Sequence, residues 1–246
     1  MISRWPATLL VLGFGQFAGA REAASAPELR LTVRVYDFVQ VPGRQWTEAA
    51  KMASLTFQAA GIDLAWMRCS PPCPSASGAG DLELRIVSRA PRETPESNGV
   101  IGLALLGPEG NYGTTAYVFF DRVEALAGEL AQTTTPGTWG ILTGPSWVET
   151  WKRLGLGVAM AHELGHLLLG ANSHSAEGIM NKVWARYTLL HALGGKSRFT
   201  SVQAVQLRKG VTSRLSDLAA FDWLTTAWHD CDPTSDSLRP LSRRSS

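Results

Sequence analysis

From Leu29 to Val41 apolar and polar residues alternate, which predicts a half-buried strand broken at Gly43. Between Thr47 and Ala60 the apolar positions Ala50, Ala53, Leu55 and Phe57, with Gly61 behind them, predict a helix with a glycine stop. Ile62 to Arg68 reads as a second strand, Cys69 to Gly80 as a loop, and Leu82 to Ala90 as a third strand. That order suits a helix packed on a mostly parallel sheet, an α/β (α+β) class. From Pro91 to Thr115 the chain turns to Gly, Pro, Asn and Glu around an apolar island, Val100 to Leu106, which predicts a long loop holding a short hairpin.

Ala116 to Val123 is the next strand, Val123 to Ala131 a short helix, and Gln132 to Gly144 a Thr/Gly/Pro-rich connection. Trp147, Trp151, Leu154, Val158, Ala161 and Gly165 then recur at helical spacing, so this helix belongs to the core. Gly155 and Gly157 blur where it begins, each costing about 1 kcal/mol in a helix interior. Phe199 to Arg208 reads as a helix capped by Thr200 or Ser201, with a second near Leu215 to Trp228. The C-terminal part is thus helical, and the Ser, Pro and Arg of 231–246 predict a disordered tail.

Composition changes this picture little. At 246 residues, 45% hydrophobic and 18% charged, the chain can bury one core of ordinary size, placed at 27–230. A formal charge of +2 gives no reason to expect a nucleic-acid partner. The N-terminus changes more. Arg4, the apolar stretch Ala7 to Phe17, and the small residues Ala18-Gly19-Ala20 or Ala24-Ser25-Ala26 predict an export signal over 1–26. It is too short for a membrane span, so a secreted or periplasmic protein without stable membrane insertion is expected, with no room for an inhibitory prosegment at that end. In an oxidising compartment Cys69 can pair with Cys73, or Cys231 with either of the two.

The candidate chemistry lies on the core helix. His162 and His166 are one helical turn apart, so their rings lie on one face about 5–6 Å from each other, close enough to share a zinc ion. Glu163 projects at a different angle, which suits a general base better than a ligand. A third ligand must come from beyond the helix. Gly170 can end the helix and turn the chain, and His174 follows it; Asn172 and Glu177 are the alternatives.

These residues resemble the metzincin clan of zinc metalloproteases, whose signature is H-E-x-x-H-x-x-G-x-x-H followed by a methionine-containing turn. His162, Glu163 and His166 match it directly. Gly170, His174 and Met180 match by type, each of the first two displaced by one residue in its interval. One extra helical residue rotates the glycine by about 100°, so a longer helix end and a wider turn must absorb the insertion together.

The resemblance implies a twisted, mostly parallel sheet with an active-site helix, zinc on His162, His166 and His174, and Met180 packed beneath the ligands. It also implies a peptide or protein substrate, with Glu163 taking a proton from the attacking water. The strand at 116–120 is expected to edge the cleft and pair with extended substrate, although its apolarity equally suits a buried strand. Trp184, Arg186 and Tyr187 would stand near the pocket wall, with Tyr187 placed to donate to the developing oxyanion. The same residues would serve a zinc hydrolase of a non-protein substrate such as a peptidoglycan peptide. A non-catalytic zinc- and peptide-binding protein would have no need of Glu163.

Overall fold

The computed structural model describes residues 29–70, 81–91, 100–108, 112–132, 144–182, 186–193 and 195–229, with the backbone alone at 146, 186–188, 193 and 217–229. The expected signal at 1–26, the tail at 231–246, the connection at 133–143, Trp184, Cys73 and Cys231 lie outside the described residues. Cys69 is disulfide-bonded.

Strand β1 (Leu29–Asp37) buries Leu31, Val33 and Val35, the period-two pattern of a strand with one face on the core. Helix α1 (Gly43–Gln58) follows and buries Trp46, Ala49, Ala50, Ala53 and Phe57, a stripe at helical spacing. It carries the chain across to β2 (Ile62–Cys69), which pairs with β1 in parallel, Leu29 opposite Ile62. On the other side of β1 comes β3 (Leu82–Val87), again parallel. The strands β4 (Gly102–Leu105) and β5 (Thr115–Phe119) complete a five-stranded sheet of order β2-β1-β3-β5-β4, in which only β4 runs antiparallel. The fold is therefore α/β with a mostly parallel sheet.

That order corrects one expectation. The strand at 116–120 is not an edge: β5 pairs with β3 on one side and β4 on the other, and its Ala116, Val118 and Phe119 are fully buried. Apolar residues on consecutive positions mark a strand enclosed from both sides, which is the interior place that β5 takes. The edge on this side of the sheet is β4, drawn from the apolar island at 100–106, with its Leu103 and Leu105 side chains exposed.

The chain passes without a break from β5 into α2 (Phe120–Gln132). Helix α3 (Pro145–Leu169) packs between α1 and α2, and residues 155–165 are buried without interruption. It is buried all round along that stretch, and its amphipathic stripe is correspondingly weak. Helices α4 (Arg186–Leu193) and α5 (Ser201–His229) form the C-terminal helical part, with α5 one continuous helix where a pair was expected. No helix among the described residues is long and apolar enough to cross a membrane.

Candidate metal centre

Helix α3 places His162 and His166 one turn apart with ring centroids 4.7 Å from each other. The helix ends at Gly170, whose φ of 78° and ψ of −166° lie in a region that essentially only glycine occupies. Asn172 is left-handed as well, with φ of 58°, and together they turn the chain back. The turn returns His174 to within 4.6 Å of the His166 ring and 5.3 Å of the His162 ring, centroid to centroid. The extra residues between His166 and His174 are absorbed by a helix that runs on to Leu169 and by this wider turn.

The nitrogens converge. His166 Nε2 lies 3.1 Å from His162 Nε2 and 3.2 Å from His174 Nε2, and one ligand atom of each ring lies within 4.8 Å of the others. Zinc–nitrogen bonds of about 2.0–2.1 Å at a tetrahedral angle put ligand nitrogens about 3.3 Å apart, so the spacing suits a single small cation. The other ring nitrogens are held from behind. His162 Nδ1 donates to the Ile179 carbonyl at 2.8 Å, which fixes the tautomer and leaves the Nε2 lone pair free. Ser173 Oγ lies 2.8 Å from His166 Nδ1 and does the same when that nitrogen donates to it.

Burial, with smaller contributions from the neighbouring rings, lowers His162 to about 4 and His166 to about 3. His174 is also lowered, first by partial burial and then by the Lys182 ammonium. All three imidazoles are therefore neutral at physiological pH, the protonation state that a metal ligand needs. Asn172 and Glu177, the alternatives to His174, are exposed on the turn, and the group able to hold a metal among the described residues is the three histidines.

Glu163 is only 6% exposed, and burial pushes its carboxyl up to about 8. A dication beside it would bring that value back down, leaving a base poised near neutrality. Edge strand β4 closes over it. A Cβ built on Gly102 would lie 2.5 Å from Glu163 Cγ, 2.5 Å from the Tyr117 carbonyl oxygen of β5 and 2.7 Å from Glu163 Cδ, so any larger residue there displaces the carboxylate or the β4 backbone. For the activity proposed below, Gly102→Ala is expected to lower turnover by about 10–100-fold, because a shift of the carboxylate or of β4 misaligns a base. Wild-type turnover in that variant would show that the contact has no bearing on Glu163.

Met180 is fully buried, and Gly165 is the reason it can be where it is. A Cβ on Gly165 would stand 2.6 Å from Met180 Sδ and 2.9 Å from Phe199 Cε1, so the missing side chain lets the thioether lie against the helix between the histidines. Tyr187 is in the first turn of α4, and its side chain, like that of Arg186, lies outside the described residues.

His162, Glu163, His166, His174 and Lys182 share a cleft of about 670 Å³ with Gly102, Leu103 and Ala104 of β4. A second cavity of about 700 Å³, between α1, α3 and the 195–198 segment, holds none of these side chains. Ser173, the Ile179 carbonyl, Gly102 and Gln203, whose contacts are described below, escaped the sequence reading. The one local signal among them is Thr200-x-x-Gln203, the spacing of a helix capping box.

No protein-family model matches the chain. No curated protein matches it either. Among solved structures, the chain is similar to the crystal structure of archaemetzincin from Methanopyrus kandleri, at 13% sequence identity and a TM-score of 0.44, covering 76% of this chain and 99% of that chain.

Proposed function

We propose that this protein is an exported zinc-dependent endopeptidase of metzincin type, with His162, His166 and His174 as the zinc ligands and Glu163 as general base. The observation that carries the reading is the convergence of three Nε2 atoms beside a buried carboxylate, in a cleft walled by a sheet edge. When bound, zinc supplies Lewis acidity to the scissile carbonyl and to the attacking water.

The protein's own groups do the rest. The Ile179 carbonyl and the Ser173 hydroxyl aim two imidazoles, so that the donor set is arranged before the ion arrives. Glu163 takes the proton of the attacking water and passes it to the leaving amine. The outer edge of β4, which pairs with no further strand among the described residues, offers its backbone groups to an extended peptide, with the exposed Leu103 and Leu105 beside them. Met180 and Phe199 fill the space behind Gly165 and keep the helix from shifting.

Incubating the zinc-loaded protein with a mixture of unstructured peptides, and reading the fragments by mass spectrometry with and without chelator, tests the proposal. Chelator-sensitive internal cleavage is expected. Intact peptides alongside hydrolysed peptidoglycan stem peptides would move the substrate to that class, and no hydrolysis of either would leave a binding protein. Export is carried by the composition of residues 1–26 and is tested by N-terminal sequencing of the protein recovered outside the cytoplasm.

A further inference from the structure

His162 and His166 ride on the core helix α3, the first buried and the second partly buried, but His174 does not. It is exposed, sits on a turn with a left-handed residue at Asn172, and has only the isolated bridge between Ser175 and Asn181 as regular structure nearby. A turn lengthened in this way has more ways to place its histidine than a short one, so something must select among them.

One side chain grips the residues on both sides of His174. The Gln203 amide nitrogen donates to the Ser173 carbonyl at 2.9 Å and to the Ser175 hydroxyl at 3.2 Å. Its amide oxygen is used elsewhere, accepting from the Thr200 backbone N–H at 3.0 Å, while the Gln203 backbone N–H donates to Thr200 Oγ1 at 3.3 Å. The oxygen thus completes a reciprocal cap on α5, and the nitrogen reaches across to the histidine turn. The side chain is buried, at 7% exposure, so these hydrogen bonds do not compete with bulk water. Ser173 gives its backbone carbonyl to Gln203 and its hydroxyl to His166 Nδ1, so the grip falls on the backbone of the turn and not on the His166 contact itself.

We infer that Gln203 is a positioning residue that fixes His174, through Ser173 and Ser175, for metal binding. The inference rests on the zinc reading above and adds what the lengthened turn requires. A glutamine is needed because the two jobs call for an acceptor and a donor at one tip; a glutamate serves the cap and cannot serve the turn.

That difference supplies the test. Zinc affinity is measured by chelator competition on the full chain for wild type, Gln203→Glu, Gln203→Met, Thr200→Ala, and each Gln203 variant combined with His174→Ala. Melting of the metal-free proteins is followed alongside. Gln203→Glu and Gln203→Met are expected to weaken zinc binding by about 10-fold, the lower end of what is usual for residues that orient metal ligands. Thr200→Ala, which loses only the hydroxyl of the cap, is expected to lower the metal-free melting temperature and leave zinc affinity within about twofold of wild type. In the His174→Ala background the Gln203 effect is expected to shrink to under about threefold, because the group it positions is gone.

Affinity unchanged in both Gln203 variants would overturn the inference. So would an equal loss with and without His174, which would mark a general effect on folding. If wild type binds no zinc, the zinc reading itself fails and this inference with it, an outcome distinct from a zinc-binding wild type indifferent to Gln203.

Discussion

Glu163→Gln is expected to bind zinc at the wild-type level and to lose about 10²–10⁴-fold in peptide turnover, the usual contribution of a positioned general base. The amide has the shape of the carboxylate and fits the same space beneath Gly102, so neither β4 nor the histidine rings need move. What it cannot do is accept a proton. Burial already holds the carboxyl near 8 without a cation, which shows how strongly this site favours the neutral form. Substituting a permanently neutral group is therefore mild for folding and severe for chemistry. Retention of most of the turnover would remove Glu163 from the mechanism, and loss of zinc would make it a ligand.

Removal of the metal is expected to be the second large effect. His166 is the middle member of the cluster, with its Nε2 within 3.2 Å of both other Nε2 atoms. His166→Ala leaves two imidazoles that no longer share a neighbour, and zinc affinity is expected to fall by about 10²–10³-fold, given that structural zinc sites are worth about 10–16 kcal/mol over four ligands. Binding is linked to stability: zinc at about 100 times its dissociation constant stabilises the folded chain by about 2.7 kcal/mol. For a domain of this size that is about 5–10 °C in melting temperature. Chelator should lower the wild-type melting temperature by that amount and leave His166→Ala unaffected. A wild type that melts at the same temperature with and without chelator would contradict a metal centre here.

The clustering of the histidines was legible because it is local. Residues one helical turn apart share a face whatever the rest of the fold does, and Gly170 marks a helix end because few other residues tolerate its backbone angles. The strand, helix, strand, strand opening was legible for the same reason, from periodicity within short windows. Strand order was not. Whether β5 or β4 lies at the edge depends on pairings between segments distant in the chain, and an apolar run such as 116–119 signals enclosure without naming the neighbours.

The C-terminal helix shows a different failure. Gly210 invites a break, but α5 runs through it; a Cβ at that position would come 3.1 Å from the Leu168 carbonyl. The glycine is there for the approach of α5 to α3. Packing thus overrides propensity. Gln203 was illegible as a site residue because its partners, Ser173 and Ser175, lie 30 and 28 residues away. Only its capping spacing is written locally.

Three histidines, two from a helix and one from the turn beyond it, are proposed to hold one zinc. Elemental analysis of the purified protein lacking residues 1–26, wild type beside His174→Ala, tests it most directly. One zinc per chain is expected in wild type, lost or greatly weakened in the variant. Zinc retained in full without His174 would contradict the assigned ligand set, and no zinc in wild type would contradict the metal centre.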